Sequence, residues 1–183
     1  MENKESANMK ENYPTDVDFK RYVLSILVAN HSGVLTKLAG LFARRGYNID
    51  NLSVGETTDD NLSRITVLLR GDDYVLNQIS LQLKKLHDVK KVVHLEEADS
   101  IFSEIMLIKV KADQRERSQI LEIANVFRAK IVDFATEAIT IEVTGDTKKT
   151  NNFLELVKPF GILEIARTGL TAMERGNYSI YDK

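Results

Sequence analysis

Tyr22-Val23-Leu24-Ser25-Ile26-Leu27-Val28-Ala29 runs directly into Asn30-His31-Ser32-Gly33-Val34-Leu35, and this junction decides how the chain is read. The first eight residues read as a strand. Tyr22, Leu24, Ile26 and Val28 share one face, and Val23, Leu27 and Ala29 make the other nearly as apolar. A strand apolar on both sides lies either centrally in a covered sheet or against a partner subunit. Past the turn, Val34, Leu35, Leu38, Leu41 and Phe42 fall on one helical stripe, with Ser32 as the expected N-cap. Arg44 and Arg45 occupy its last turn and Gly46 the position after it, where cations and glycine are favoured. A strand that turns through Ser and Gly into a helix leaves backbone N–H groups unpaired at the positive end of the helix dipole. Such a terminus seats an anion, either a phosphate or a small-molecule carboxylate.

Working outward, Asn48 to Val54 reads as a second strand, and a polar tip at Thr57 to Asn61 joins it to Ser63–Leu69, where Ile65, Val67 and Leu69 alternate. Asp73 is the expected cap of a helix whose stripe is Leu76, Ile79, Leu83 and Leu86, and Val89–Leu95 closes as a fourth strand. The order is βαββαβ, the ferredoxin-like arrangement. It then recurs: a strand at Glu104–Lys111, a helix at Glu116–Arg128, strands at Ile131–Ala135 and through Ile139, Ile141 and Val143, a helix at Thr150–Phe160 and a strand at Ile162–Arg167. The expected fold is therefore α+β, two tandem ferredoxin-like βαββαβ domains at residues 21–97 and 101–176. The acidic stretch Glu96-Glu97-Ala98-Asp99-Ser100 falls between them. Residues 1–20 read as a flexible polar leader, and Thr171 to Lys183 as an irregular tail, with 177–183 beyond the second domain.

Composition narrows the function classes. The 183 residues are 43% hydrophobic and 28% charged, as in a soluble globular protein. A net charge of -2 supplies no basic field for nucleic acid or an anionic membrane. No apolar run approaches the ~20 residues of a membrane span. The absence of Cys excludes disulfides, thiolate metal sites and cysteine nucleophiles, and a cytoplasmic location is expected.

Catalysis by familiar routes lacks parts. The three histidines, His31, His87 and His94, are scattered without metal-ligand spacing. Ser32 has no GxSxG context. Gly145-Asp146-Thr147-Lys148-Lys149-Thr150 matches a P-loop in composition only and reads as a capped strand-to-helix turn. After its first strand, only the first half carries a tight, glycine-bearing turn; the second has Ala112-Asp113-Gln114-Arg115 in its place.

A free amino acid suits the first turn. Its carboxylate would take the N–H groups around Gly33, Val34 and Leu35, and its ammonium the side-chain oxygens of Asn30 or Asn48. Leu35 and Ile49 offer an apolar wall, and a Cβ at Gly33 would crowd the ligand. In a βαβ unit, however, the start of the second strand lies at the sheet end away from the first strand's exit. Asn30 and Asn48 then converge only across an interface between two copies, unless Asn48 merely ends the turn after Gly46.

Asn30-His31-Ser32-Gly33-Val34-Leu35 with Leu41-Phe42-Ala43-Arg44-Arg45-Gly46-Tyr47-Asn48-Ile49 resembles the ACT domain of the regulatory (small) subunit of acetolactate synthase, also called acetohydroxyacid synthase. The likeness continues through Leu62–Thr66, Gln82–Leu86, Glu104–Val110 and Glu164–Gly169, covering about residues 21 to 176. It implies a subunit with no active site or cofactor of its own. Such a subunit forms a homodimer through ACT domains, activates the catalytic large subunit, and confers feedback inhibition by valine, sometimes by leucine or isoleucine. Thiamine diphosphate, Mg²⁺ and FAD are implied on the large subunit. The effector residues implied are Asn30, Gly33 and Asn48, assisted by Ser32, Val34 and Leu35, with Ile49 beside them. The competing classes are an amino-acid sensor serving another target, which has no reason to match the second half, and a small ferredoxin-like enzyme, which needs catalytic residues not found here.

Overall fold

A computed structural model describes residues 20–181. The expected leader lies outside the described residues, apart from Lys20 at the start of the first strand. The order is β1 (Lys20–Ala29), α1 (Val34–Arg44), β2 (Ile49–Glu56), β3 (Leu62–Gly71), α2 (Asp73–Leu83), β4 (Val89–Leu95), β5 (Ser100–Lys111), α3 (Arg117–Val126), β6 (Lys130–Phe134), β7 (Ala138–Gly145), α4 (Thr147–Val157), β8 (Ile162–Arg167) and β9 (Thr171–Glu174). The two sheets run β2-β3-β1-β4 and β6-β7-β5-β8, antiparallel at every described pairing, with β9 added to β5. These are the two βαββαβ units expected, in an α+β fold.

Period-two patterning explains each core. Leu24, Ile26 and Val28 of β1 pack with Ile65, Val67 and Leu69 of β3 beneath Val34, Leu38 and Phe42 of α1 and Ile79 and Leu83 of α2. Met106, Ile108 and Val110 of β5 do the same with β7, α3 and α4. Each fully buried Leu, Ile or Phe contributes about 1.5–3 kcal/mol relative to exposure. Tyr22 reaches across the first core's edge and donates to Asp73 Oδ1 at 2.6 Å, and its ring lies 5.5 Å from that of His94.

The second apolar face of β1 is covered within the same chain. Val23 packs with Leu95, Leu170 and Ala172. Residues 171–181 are thus not an irregular tail throughout: β9 pairs Thr171 with Ser103 and Glu174 with Ser100, and Ile180 is buried. Of the two readings of β1, the central, covered strand is the one realised, so its two-sided character does not itself point to a partner.

Helix starts needed correction. Gly33, not Ser32, is the N-cap of α1, in the left-handed region at φ 89° and with no side-chain cap bond. Asp72, not Asp73, caps α2 by accepting from Val75 N–H at 2.7 Å, which frees Asp73 for Tyr22. Asp146 caps α4 in the same way, so the glycine-led stretch there is the capped turn expected. That helix begins at Thr147, three residues before the expected start, and ends in a 3-10 turn, Lys158–Phe160, where Pro159 cannot donate.

Two bolts join the units. Asn51 Oδ1 accepts from Leu170 N–H at 2.6 Å, and Ser53 Oγ donates to Leu170 O at 2.7 Å. Gly169 makes this approach possible, since a Cβ there would stand 2.7 Å from Asn51 Oδ1 and 3.1 Å from Leu52 O.

Candidate functional site

The candidate site is the turn between β1 and α1. Asn30 leaves β1 hydrogen-bonded to the β2–β3 hairpin: its N–H reaches Asn61 O at 2.7 Å and its Nδ2 reaches Asp60 O at 2.9 Å. Both bonds are donated, so its side-chain oxygen stays open to a donor. Gly33 then adopts positive φ, with nothing within 4 Å of where a Cβ would stand. Its carbonyl accepts from Lys37 N–H at 3.0 Å, the first i−4 bond of the helix. Val34 N–H makes only a long 3.5 Å contact with His31 O, and the N–H groups of Leu35 and Thr36 precede any intrahelical acceptor. The outcome is a bare, solvent-facing helix start with no carboxylate of its own in the first turn.

The corresponding start in the second unit is already filled. Asp113 accepts from Arg115 N–H at 2.8 Å and from Glu116 N–H at 2.9 Å. These two backbone bonds, Glu116 first, hold its carboxyl below the usual carboxylate value. What an external carboxylate would do for α1, Asp113 does internally for α3.

Sequence reasoning missed Asp88. Its carboxylate accepts from Lys37 Nζ at 2.7 Å and meets His31 Nε2 at 3.1 Å, while its backbone O takes Ala29 N–H at 2.8 Å. His87 Nδ1 stands 3.8 Å away. The Lys37 hydrogen bond, opposed by burial and aided by His31, holds Asp88 below the ordinary value. One residue of the α2–β4 connection thus braces both ends of the turn. A charge following His87 at a helix end carries no periodic signal, so only the fold reveals it.

The expected site residues divide into two groups. Asn30, Ser32, Gly33 and Leu35 are exposed together at the turn, while the Val34 side chain is buried in the core. Asn48 and Ile49 lie at the opposite end of the sheet: Ala29 stands opposite Leu62 of β3, whereas Ile49 stands opposite Leu69. Seven residues of strand separate those positions, about 24 Å. Asn48 Nδ2 bonds Asp50 Oδ1 at 3.2 Å, and Ile49 packs at the margin of the first core. Among the described residues no group of three or more His, Asp or Glu is placed to hold a metal ion, and no helix is long and apolar enough to cross a membrane.

Fold and turn define a tandem ferredoxin-like α+β protein with an open helix start in its first unit, and comparison with known proteins makes the class specific. Residues 24–91 match the family model described as an AHAS small subunit-like ACT domain, and residues 103–176 match that of the small subunit of acetolactate synthase. The chain is 50% identical over 157 residues to a probable acetolactate synthase small subunit of Methanothermobacter thermautotrophicus, covering 85% of this chain and 94% of that one. It is 46% identical over 155 residues to the acetolactate synthase small subunit of Mycolicibacterium smegmatis, covering 85% and 91%. The crystal structure of the acetolactate synthase small subunit from Thermotoga maritima superposes with a TM-score of 0.82 at 39% identity, over 87% of this chain and 99% of that one. The chain belongs to the acetolactate synthase small-subunit family.

Proposed function

We propose that this chain is the non-catalytic regulatory subunit of acetolactate synthase. It activates a catalytic large subunit, which carries the thiamine diphosphate, Mg²⁺ and FAD, and it restrains that subunit when valine or a related branched-chain amino acid binds between the ACT units of a homodimer. The observation that carries this reading is the contrast between two helix starts in one chain. The start of α3 is occupied by Asp113, and the start of α1 is bare around Gly33. The ligand carboxylate sits on the N–H groups at Gly33, Val34 and Leu35, next to Ser32, and Asn30 takes the ammonium.

The separation of Asn30 from Asn48 supports a shared site. In the single chain β2 is an edge strand, with Leu52 and Val54 exposed on its helix side, beside their register partners Val67 and Ile65. Two identical edges related by a two-fold axis pair antiparallel. That pairing carries the partner's Asn48 and the partner's Ile49 to the sheet end where Asn30 and Gly33 lie. A ligand held by both copies favours one arrangement of the dimer, and ~1–3 kcal/mol of coupling changes activity several-fold to over a hundredfold.

The test mixes the purified chain with a matched large subunit and measures acetolactate formation with and without valine. Stimulation that valine reverses is expected. Turnover by the chain alone points to an enzyme, and absence of stimulation to a sensor for another target.

A further inference from the structure

His31 stands inside the effector turn, and the carboxylate seat makes no use of its ring. Both ring nitrogens face acceptors. Nδ1 lies 3.1 Å from the carbonyl oxygen of Ser32, and Nε2 lies 3.1 Å from Asp88 Oδ1. A neutral imidazole has one N–H and one lone pair, so it donates to only one of the two, whereas the imidazolium donates to both. In the neutral form the proton stays on Nε2, where the acceptor is an ionised carboxylate and the bond is charge-assisted. Nδ1 then turns a lone pair on Ser32 O at hydrogen-bond distance, which is repulsive. Asp88 does not turn away to relieve this, because Lys37 Nζ holds its other oxygen at 2.7 Å.

Ser32 O shares a planar trans peptide with Gly33 N–H, so the two point in opposite directions and turn together. Holding the oxygen aims the N–H. This peptide is free to turn because its second residue is a glycine: φ is 89°, a half-turn takes it to the negative side, and glycine accepts both. The charged groups around the ring come from three elements. Lys37 of α1 reaches it through Asp88, and His87 Nδ1 stands 3.8 Å from Asp88 Oδ1, beyond hydrogen-bond reach. On the β2–β3 hairpin, Asp59 is turned back onto Asn61, and Asp60 meets Asn30 through its carbonyl. Asp88 stays ionised near neutral pH, since the Lys37 bond holds its carboxyl low.

We propose that His31 is a positioning residue of the effector seat: its imidazolium, anchored on Asp88, fastens Ser32 O and so aims the Gly33 N–H at the ligand carboxylate, and loss of one ring proton releases that peptide. This role rests on the amino-acid reading of the turn. It makes the effector bind more tightly as pH falls, and the added positive charge beside the carboxylate acts in the same direction.

The test is an NMR titration of the full chain without ligand, followed by calorimetric titration with valine at about pH 6 and about pH 8, across the range in which imidazoles ordinarily change charge. Ionic strength is held constant. The Ser32 and Gly33 amide signals are expected to move with the His31 ring signal, and valine to bind about twofold to tenfold more tightly at the lower pH. His31→Gln replaces a side chain that is 51% exposed, so it keeps the fold and removes the pH dependence, whereas His87→Gln leaves it in place. Amides that stay still while the ring titrates overturn the proposal. So does valine binding that is equal at the two pH values, or whose pH dependence survives His31→Gln. Absence of valine binding at both pH values, with the amides still following the ring, overturns the valine reading and leaves the control of the Ser32–Gly33 peptide by His31 standing.

Discussion

Lys37 Nζ donates to Asp88 Oδ2 at 2.7 Å, tying the first turn of α1 to the connection between α2 and β4. Because the same carboxylate also meets His31 Nε2, its removal loosens the turn on both sides of Gly33. Asp88→Asn is expected to weaken valine inhibition about threefold to thirtyfold, at the scale of one or two lost charge-assisted bonds. The dose-response of the reconstituted complex reads this directly. The pH dependence has a definite sign. The carboxyl is depressed in the folded chain, so its contribution is present above the unfolded value near 3.8 and is lost as pH falls through the folded one. Melting temperatures taken from about pH 5 down to pH 3 fall more steeply for the native chain than for Asp88→Asn.

Gly33 separates conformation from occupancy. Nothing lies within 4 Å of a Cβ there, but φ is 89°, so Gly33→Ala costs about 1–2 kcal/mol through backbone strain alone. Gly33→Asp adds a negative charge and bulk at the carboxylate seat. Urea unfolding is expected to show similar losses for both, whereas valine inhibition is abolished by Asp and large-subunit activation survives. Unaltered valine inhibition in the Gly33→Asp complex would falsify the seat.

Val54 tests the edge. It is 49% exposed on β2, so a lysine there is tolerated by the isolated fold and repels a second copy. Val54→Lys is expected to sediment as a monomer and lose valine binding together with dimerisation. A dimeric Val54→Lys that still binds valine places the interface elsewhere.

Gly169 tests the joint between the units. A Cβ would collide with Asn51 Oδ1 and Leu52 O, and φ is 89°, so Gly169→Ala costs about 2–4 kcal/mol from strain and displaced hydrogen bonds. Limited proteolysis near residues 96–99 should accelerate, while Asn51→Ala, which keeps the glycine, gives a smaller effect.

Apolar periodicity, two in strands and 3.6 in helices, made both sheets and the α-helices of the described residues legible, because each such element has at least one face in a core. It failed where burial is supplied from far along the chain. Thr171-Ala172-Met173-Glu174 is too short and mixed to read as a strand, and its partner Ser100–Ser103 precedes the expected strand start at Glu104. Caps shifted by one residue at Ser32, where Gly33 takes the left-handed conformation with no side-chain cap bond, and at Asp73, where adjacent aspartates compete for the same N–H groups and backbone conformation chooses Asp72. Of the site, Asn30, Gly33 and Leu35 were readable from a local turn. Asp88 was not, because its bonds to His31 and Lys37 span 57 and 51 residues.

The return of residues 170–181 to the first sheet has a consequence for synthesis. Val23 and Leu95 are covered by Leu170 and Ala172, which leave the ribosome well after both. The N-terminal unit has its helix-side core long before then, but its other face stays uncovered until residues 170–172 emerge. A chain stalled before Leu170 would therefore present that strip of β1 to whatever is nearby, including a second nascent copy, and pausing there should favour aggregation over assembly.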